Sequence, residues 1–485
     1  MTRRPRCCAL AAFAAALALA LSACGGSGAD GSATSVDAAD LPASARIEPG
    51  DLKPCRKLPA IGGYRCGSIE VPKFRADPAK GSFKIGFAVR SRDDRSSPSR
   101  GALFAVEGGP GYSSTGTANA YEKLFGSLLR HRELVLVDMR GTGRSGPIRC
   151  PDVQQGAAPV WIALSQCARR LGPDWEAYNT GAAAEDIDDV REALGLDRIT
   201  LYGDSYGTYL SQSYAFRHPD QLEALVLDSA YLVRGESPWY PSLITTGNAS
   251  MKLACERSPS CPPGVIKRLY EQARYMRCNG MSVGALIDAI AGAASGPPES
   301  YLAVERAGRR LFAGNRRAWR RLTLEETVAS RDRFQYDRPE ELVVSCNDYP
   351  MIWDRDATEP ERRDQLEDAI RAYDKDAFGP FTPREVALDT NVGYLFCLTW
   401  PRPTELREPP VPAGAQPTKA PVLVVNGEMD DLTTPHEGWM VAKQFPNARR
   451  FVGRNAGHVA ALYYFDGPSA RTIRRFLRDA WAGRE

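Results

Sequence analysis

The stretch ITLYGDSYGTYLSQSYAFR, residues 199–217, constrains the fold more than any other part of the chain. ITLYG has the apolar, β-type make-up of a buried strand, and YGTYLSQSYAFR continues as a helix, with nothing between them but the pentapeptide GDSYG. A strand that turns so sharply into a helix holds Ser205 on a strained backbone at the C-terminal edge of a sheet. Gly203 and Gly207 are then required beside it, because any side chain there would meet neighbouring backbone. The same pattern occurs as GMSVG at 280–284, but VIKRLYEQARYMR before it has helical periodicity and GALIDAIAG after it continues as another helix. GMSVG is therefore expected to be a helix-to-helix turn, and Ser282 a structural serine.

The neighbouring sequence supplies the sheet that such an elbow needs. Short β-type runs appear at 83–89 (FKIGFAV), 102–106 (ALFAV), 133–138 (ELVLVD) and 223–228 (EALVLD), separated by helical patterns such as 182–194, for which Thr180 is the candidate cap. From about 231 to 417 the pattern becomes helical, arginine-rich and cysteine-bearing, closing through Pro409, Pro410, Pro412 and Pro417. It then resumes with PVLVVNG at 421–427, a helix from about His436, ARRFVG at 448–453, and a last helix from about Ser469 to Trp481. The expectation is an α/β protein with one mostly parallel sheet and a large, mainly helical cap inserted between core strands. The core comprises 46–230 and 418–485, and the cap 231–417. At 485 residues and 43% hydrophobic, the chain can fill such a core. No internal repeat is present.

The N-terminus reads as a processing signal. Arg3, Arg4 and Arg6 precede an apolar run from Ala9 to Leu21, short for a membrane span and suited to a signal peptide over 1–23. Pro5 and Arg6 follow the arginine pair where a twin-arginine signal has apolar residues, which favours the general secretory route. The run ends in LSAC, which resembles a lipobox and implies cleavage before Cys24 and a lipid anchor to the membrane on its sulfur. Residues 24–45 then form a small, polar, flexible tether. Removing 1–23 takes away three positive charges and no acid, so the net charge falls from +3 to 0. Nothing in that balance seeks nucleic acid. Arg306, Arg309, Arg310, Arg316, Arg317, Arg320 and Arg321 wrap around helices and read as a solvated face. Four histidines, and no cysteine pair at zinc spacing beside them, leave no metal site and no cofactor to expect. Oligomeric state has no signature in the sequence.

A serine hydroxyl attacks only when a base takes its proton, and that base is usually a histidine oriented by a carboxylate. His458 follows the last strand in RNAGHV, and Asp430 follows PVLVVNG in GEMDDLTTP. His436, at a helix start near the acid, is the rival base. His218 and His131 lie at the wrong ends of their elements. Asp431 is expected to point away, and Asp228 is the alternative acid. Two backbone N–H groups must also meet the developing oxyanion. Tyr206, directly after the serine, supplies one, and Gly109 in EGGPGYSS the other, since Pro110 has no N–H.

The motifs GGPG (108–111), DMRGTGRS (138–145), GDSYG, GEMDDLTTP and GHV, in this order, resemble the proline iminopeptidase group of α/β-hydrolases. More closely, they are similar to the secreted tripeptidyl aminopeptidases of high-GC bacteria, over most of the mature chain and including SCNDYP and CLTWP. The resemblance implies a cofactor-free serine hydrolase releasing short pieces from peptide N-termini. A small-molecule ester hydrolase is the alternative, and an inactive binding lipoprotein is the alternative of another class. Glu107 stands where many proline iminopeptidases have histidine, and the group includes esterases and antibiotic-cleaving hydrolases. An exopeptidase also needs an acid for the substrate's α-ammonium; Asp348 in SCNDYP is the first candidate and Glu107 the second. Of nine cysteines in the body, short separations suggest Cys55 with Cys66, Cys150 with Cys167, and Cys255 with Cys261. The resemblance implies Cys346 with Cys397, which leaves Cys278 free.

Overall fold

The computed structural model describes residues 47, 51–56, 58, 63–156, 158–234, 241–261, 264, 267–271, 283–325, 335–388 and 394–484. Cys24 with its flanking signal and tether, Cys278 and Ser282 lie outside the described residues. The strands are β1 (Lys53–Pro54), β2 (Tyr64–Pro72), β3 (Ser82–Arg90), β4 (Ala102–Val106), β5 (Glu133–Val137), β6 (Ile199–Asp204), β7 (Leu222–Asp228), β8 (Val422–Gly427) and β9 (Ala448–Gly453). They form one sheet in the order β1-β2-β3-β5-β4-β6-β7-β8-β9. Pairing is antiparallel from β1 to β5 and parallel from β5 onward through β9.

Helices on both faces make the middle strands continuously apolar. Along β4, Ala102, Phe104 and Val106 pack into one core, and Leu103 and Ala105 into the other. The helices used below are α1 (Ala118–Phe125), α2 (Thr180–Ala193), α3 (Tyr206–Arg217), α4 (Pro241–Glu256), α5 (Val283–Ala294), α6 (Glu299–Phe312), α7 (Arg338–Asp348), α8 (Pro435–Lys443) and α9 (Pro468–Trp481). Asn179 caps α2, accepting from the N–H of Ala182 at 2.8 Å, and Thr180 is the first helical residue rather than the cap. β2 was not legible: YRCGSIEVP mixes glycine, charge and apolar residues at an antiparallel margin.

Between β7 and β8 the elements among the described residues are helical, α4 to α7 included. The arginines from Arg306 to Arg321 are exposed or half-buried, and Arg309 pairs with Glu305 at 2.5 Å. Disulfides join Cys55 to Cys66, Cys150 to Cys167, Cys255 to Cys261, and Cys346 to Cys397. The last ties α7 to the turn Leu395–Cys397. β5 and β6 flank β4 on opposite sides, so the connections leaving β4 and β5 diverge. A crevice at the C-terminal ends of the strands follows from that divergence.

Candidate active site

Ser205 sits between β6 and α3 with φ 51° and ψ −123°, a conformation that an L-residue rarely takes. The glycines explain how it is tolerated. A Cβ on Gly203 would lie 2.2 Å from the Gly207 carbonyl oxygen, and one on Gly207 would lie 2.3 Å from that of Val106. The elbow is thus pressed against both its own helix and β4.

His458 Nε2 stands 2.9 Å from Ser205 Oγ, and its Nδ1 lies 3.1 Å from each oxygen of Asp430. Asp430 is fully buried and also accepts from the N–H groups of Leu432 and Thr433, at 3.1 and 2.9 Å, and from the Thr433 hydroxyl at 2.8 Å. With that hydroxyl proton committed to Asp430, the Thr433 oxygen faces His458 Nδ1 at 3.2 Å as an acceptor. Nδ1 therefore carries the imidazole proton, and the Nε2 lone pair is turned toward Ser205. Thr433 was not singled out from sequence; its place in DDLTTP, three residues after the acid, was the available signal. Burial works against a charged imidazole here. The Asp430 charge and hydrogen bond outweigh it, with Asp228 and Glu107 adding to them, and the group titrates above its ordinary value.

The alternatives fall elsewhere. His436 is exposed and stacks on Trp439, His218 pairs with Glu185 and Asp188, and His131 lies against Asp94. Asp228 takes a hydrogen bond from Tyr202 at 2.8 Å, and burial pushes its carboxyl up to about 7. Asp431 is buried toward α4, near Gly247, and held well above the carboxylate range by burial and by Asp430.

The loop after β4 closes over the elbow. A Cβ on Gly108 would lie 2.6 Å from the Ser205 Cβ, and Gly109 and Gly111 have φ of 110° and 102°. Tyr206 opens α3, so its N–H is among the first-turn donors that no helical carbonyl reaches. The loop is also laced to the segment before α7: Ser113 N–H donates to the Gln335 carbonyl at 2.9 Å, and Asp337 N–H to that of Gly111 at 2.8 Å. Behind it, buried Asp138 of DMRGTGRS accepts from Thr115 N–H and hydroxyl and from Arg144 N–H, at 2.7–2.8 Å.

Ser205, His458, Gly109 and Pro110 open into a cavity of about 530 Å³ that has α5 and α7 on its walls, within the ~300–1,000 Å³ typical of small-ligand sites. The two acids expected to reach a substrate amine are not on its walls. Asp348 is buried, accepting from Thr180 N–H at 2.5 Å and from its hydroxyl at 2.6 Å, with Arg407 3.6 Å away. Since Thr180 donates there, it accepts from Tyr206 OH at 2.7 Å. Asp348 is thus a strut between α7 and the residue after the serine. Glu107 is turned beneath the loop, toward Tyr121. The acids on the walls are Asp288, Glu341 and Glu437. Glu437 caps α8 through Thr434 N–H at 2.7 Å, while Glu341 accepts from Tyr336 OH beside Arg338. Burial raises the Glu341 carboxyl above its ordinary range. Helical spacing alone did not mark which face of α7 looks inward.

The backbone of His458 is itself tied to the cap. Its N–H donates to the carbonyl of Ala294, the last residue of α5, at 2.8 Å, and a Cβ on Gly457 would lie 2.3 Å from that same oxygen.

Strand order, elbow and helical insertion together give this chain the α/β-hydrolase fold. Residues 101–250 match the family described as alpha/beta hydrolase fold, and residues 385–482 the family described as TAP-like protein. Its relatives include tripeptidyl aminopeptidase of Streptomyces coelicolor, 28% identical over 198 residues, which are 36% of this chain and 37% of that protein. The match thus spans little more than a third of that relative's length. Serine protease Hip1 of Mycobacterium tuberculosis is 26% identical over 457 residues, 82% of this chain and 83% of that protein. Proline iminopeptidase of Neisseria gonorrhoeae is 32% identical over 107 residues, 22% of this chain and 27% of that protein. The relatives that it matches are named as peptidases.

Proposed function

We propose that the protein is an extracytoplasmic serine exopeptidase that removes short N-terminal pieces from peptides through a Ser205–His458–Asp430 triad. The observation that carries this is the unbroken run of contacts from Asp430 through His458 to the Ser205 hydroxyl, on an elbow facing the cavity. Ser205 Oγ attacks the scissile carbonyl carbon while its proton passes to His458 Nε2. The carbonyl oxygen becomes an oxyanion facing the N–H groups of Gly109 and Tyr206. Collapse breaks the C–N bond, the leaving amine takes the proton from Nε2, and water repeats the sequence on the acyl-enzyme.

The insertion supports an exopeptidase over an endopeptidase, since α5 and α7 stand on the cavity's walls and narrow the approach for a folded chain. Glu341 and Asp288, rather than Asp348 or Glu107, are the acids offered to an α-ammonium. Four disulfides and the N-terminal processing signal support a location outside the cytoplasm, with an anchor at Cys24. The test is active-site labelling with a fluorophosphonate. Wild type labels on Ser205, and Ser205→Ala loses labelling and about 10⁴-fold or more of its turnover. Undiminished turnover of peptides by a folded Ser205→Ala protein overturns the assignment. Esters turned over while no peptide is cut would assign the ester hydrolase activity instead.

A further inference from the structure

Glu107 precedes the oxyanion loop, Asp204 precedes the nucleophile, and one hydroxyl lies between them. Tyr121 of α1, fully buried, has its OH 2.8 Å from Asp204 Oδ1 and 3.0 Å from Glu107 Oε2. A phenol has one proton to donate. With both acids ionised, one of the two contacts would set an oxygen lone pair against a carboxylate, and the buried charge of Asp204 would face that of half-buried Glu107. Both contacts become attractive when one of the acids keeps a proton. Among the described residues no lysine or arginine forms an ion pair with either acid to relieve them otherwise.

We propose that Glu107, Tyr121 and Asp204 share one dissociable proton, and that this proton clamps the oxyanion loop to the nucleophile's strand. Glu107 and Asp204 are then positioning residues, which act on the reacting atoms through Gly108–Gly109 and through Ser205. As pH rises, the proton leaves to solvent, two carboxylates repel across Tyr121, and the loop is pushed off the elbow. The clamp thus sets an alkaline limit to acylation that the imidazole does not impose, since a neutral imidazole remains a competent base. Burial, then the neighbouring Glu107 and its hydrogen bond, hold Asp204 well above the carboxylate range, which is the direction that a retained proton requires. The other titratable groups facing this cluster are Tyr202 and Asp228 from the sheet, His458 from the loop after β9, and Tyr463 and Tyr112 at the rim. Of these only His458 becomes positive, and it does so at the step in which Ser205 attacks.

The proposal rests on the serine mechanism above, and the experiment separates the two. The rate of fluorophosphonate labelling is followed against pH in the full chain. Wild type is expected to fall off at alkaline pH. Glu107→Gln and Asp204→Asn, which remove one charge and keep a polar partner for Tyr121, should label within about tenfold of wild type at neutral pH and carry the alkaline limb at least about one pH unit higher. Glu107→Ala, which leaves Tyr121 bound to Asp204 but unties the oxyanion loop from it, should lower kcat at every pH with little change in KM. Infrared spectra of wild type minus each amide variant supply a readout free of activity, one protonated-carboxyl component that wild type has and both amide variants lose. Labelling on Ser205 with an alkaline limb that neither amide variant moves overturns the clamp and spares the triad. Difference spectra without that component also overturn it. Loss of labelling on Ser205 altogether would instead overturn the serine mechanism.

Discussion

At the scale of single residues, the site is governed by how burial and charge divide the protons. His458 must be neutral at Nε2 to accept from Ser205, yet Asp430, Asp228 and Glu107 favour its charged form. The acid limb of kcat/KM should therefore lie above the ordinary imidazole value of about 6.5. Thr433→Val, which removes an acceptor from Nδ1, should lower it. A pH–rate profile with any rapidly labelled ester substrate reads both. The linkage runs in a defined direction. Pairing that raises the folded imidazole's pKa stabilises the fold most at acid pH, and that contribution is lost as pH rises through the folded value. Asp430, His458 and Ser205 were legible because each follows a strand end within a short run whose chemistry is local. Thr433 was not, because its importance lies in which way one hydroxyl proton points.

At the scale of elements, α7 works in three directions at once. Asp348 braces Thr180, Glu341 faces the cavity, and Cys346 bonds to Cys397 beside Tyr394 and Phe396, which also line the cavity. Replacing both cysteines by serine should cost about 2–4 kcal/mol of stability. Because the bridge joins two pieces of one wall, KM should rise more than kcat falls. Urea titration beside peptide kinetics distinguishes this from simple destabilisation, which would lower the active fraction and leave KM unchanged. The bridge was foreseeable only through the resemblance that SCNDYP and CLTWP carry. The rotation of α7 was not. Residues 341 and 348 are seven apart, two turns, and sequence periodicity places them on nearly the same stripe. The structure instead gives Glu341 to the cavity and tucks Asp348 at the helix end under Tyr206 and Tyr209. A terminal residue follows the turn that comes next, and that turn is set by tertiary packing.

At the scale of the whole molecule, the proposed chemistry and selection are separated: the sheet edge carries Ser205, and the insertion supplies most of the cavity walls. Peptides with a free N-terminus should be cut and their acetylated counterparts should not, since acetylation removes the charge that the cavity's acids attract. Glu341→Gln should raise KM for free peptides by about tenfold or more while leaving the rate of fluorophosphonate labelling unchanged. Equal cleavage of free and acetylated peptides would place the specificity elsewhere. The sheet order could be anticipated from the elbow outward, because parallel strands that feed helices leave few arrangements. The first two strands escaped because margins of a sheet are less apolar than its middle.

The hydrogen bond from His458 to the end of α5 gives this division of labour a seam. His458 is attached to the sheet on one side and to the insertion on the other, and Gly457 leaves no room for even a methyl group at the joint. The helical insertion of this fold is consequently not an interchangeable part. An insertion borrowed from a relative would have to end a helix with a carbonyl at the same point, or the imidazole would lose its footing however well the new walls suited the substrate. Specificity in such a lineage can drift readily through side chains on the walls. Wholesale exchange of the insertion is restrained by this backbone contact and by those that lace the Gly111 loop to the segment before α7.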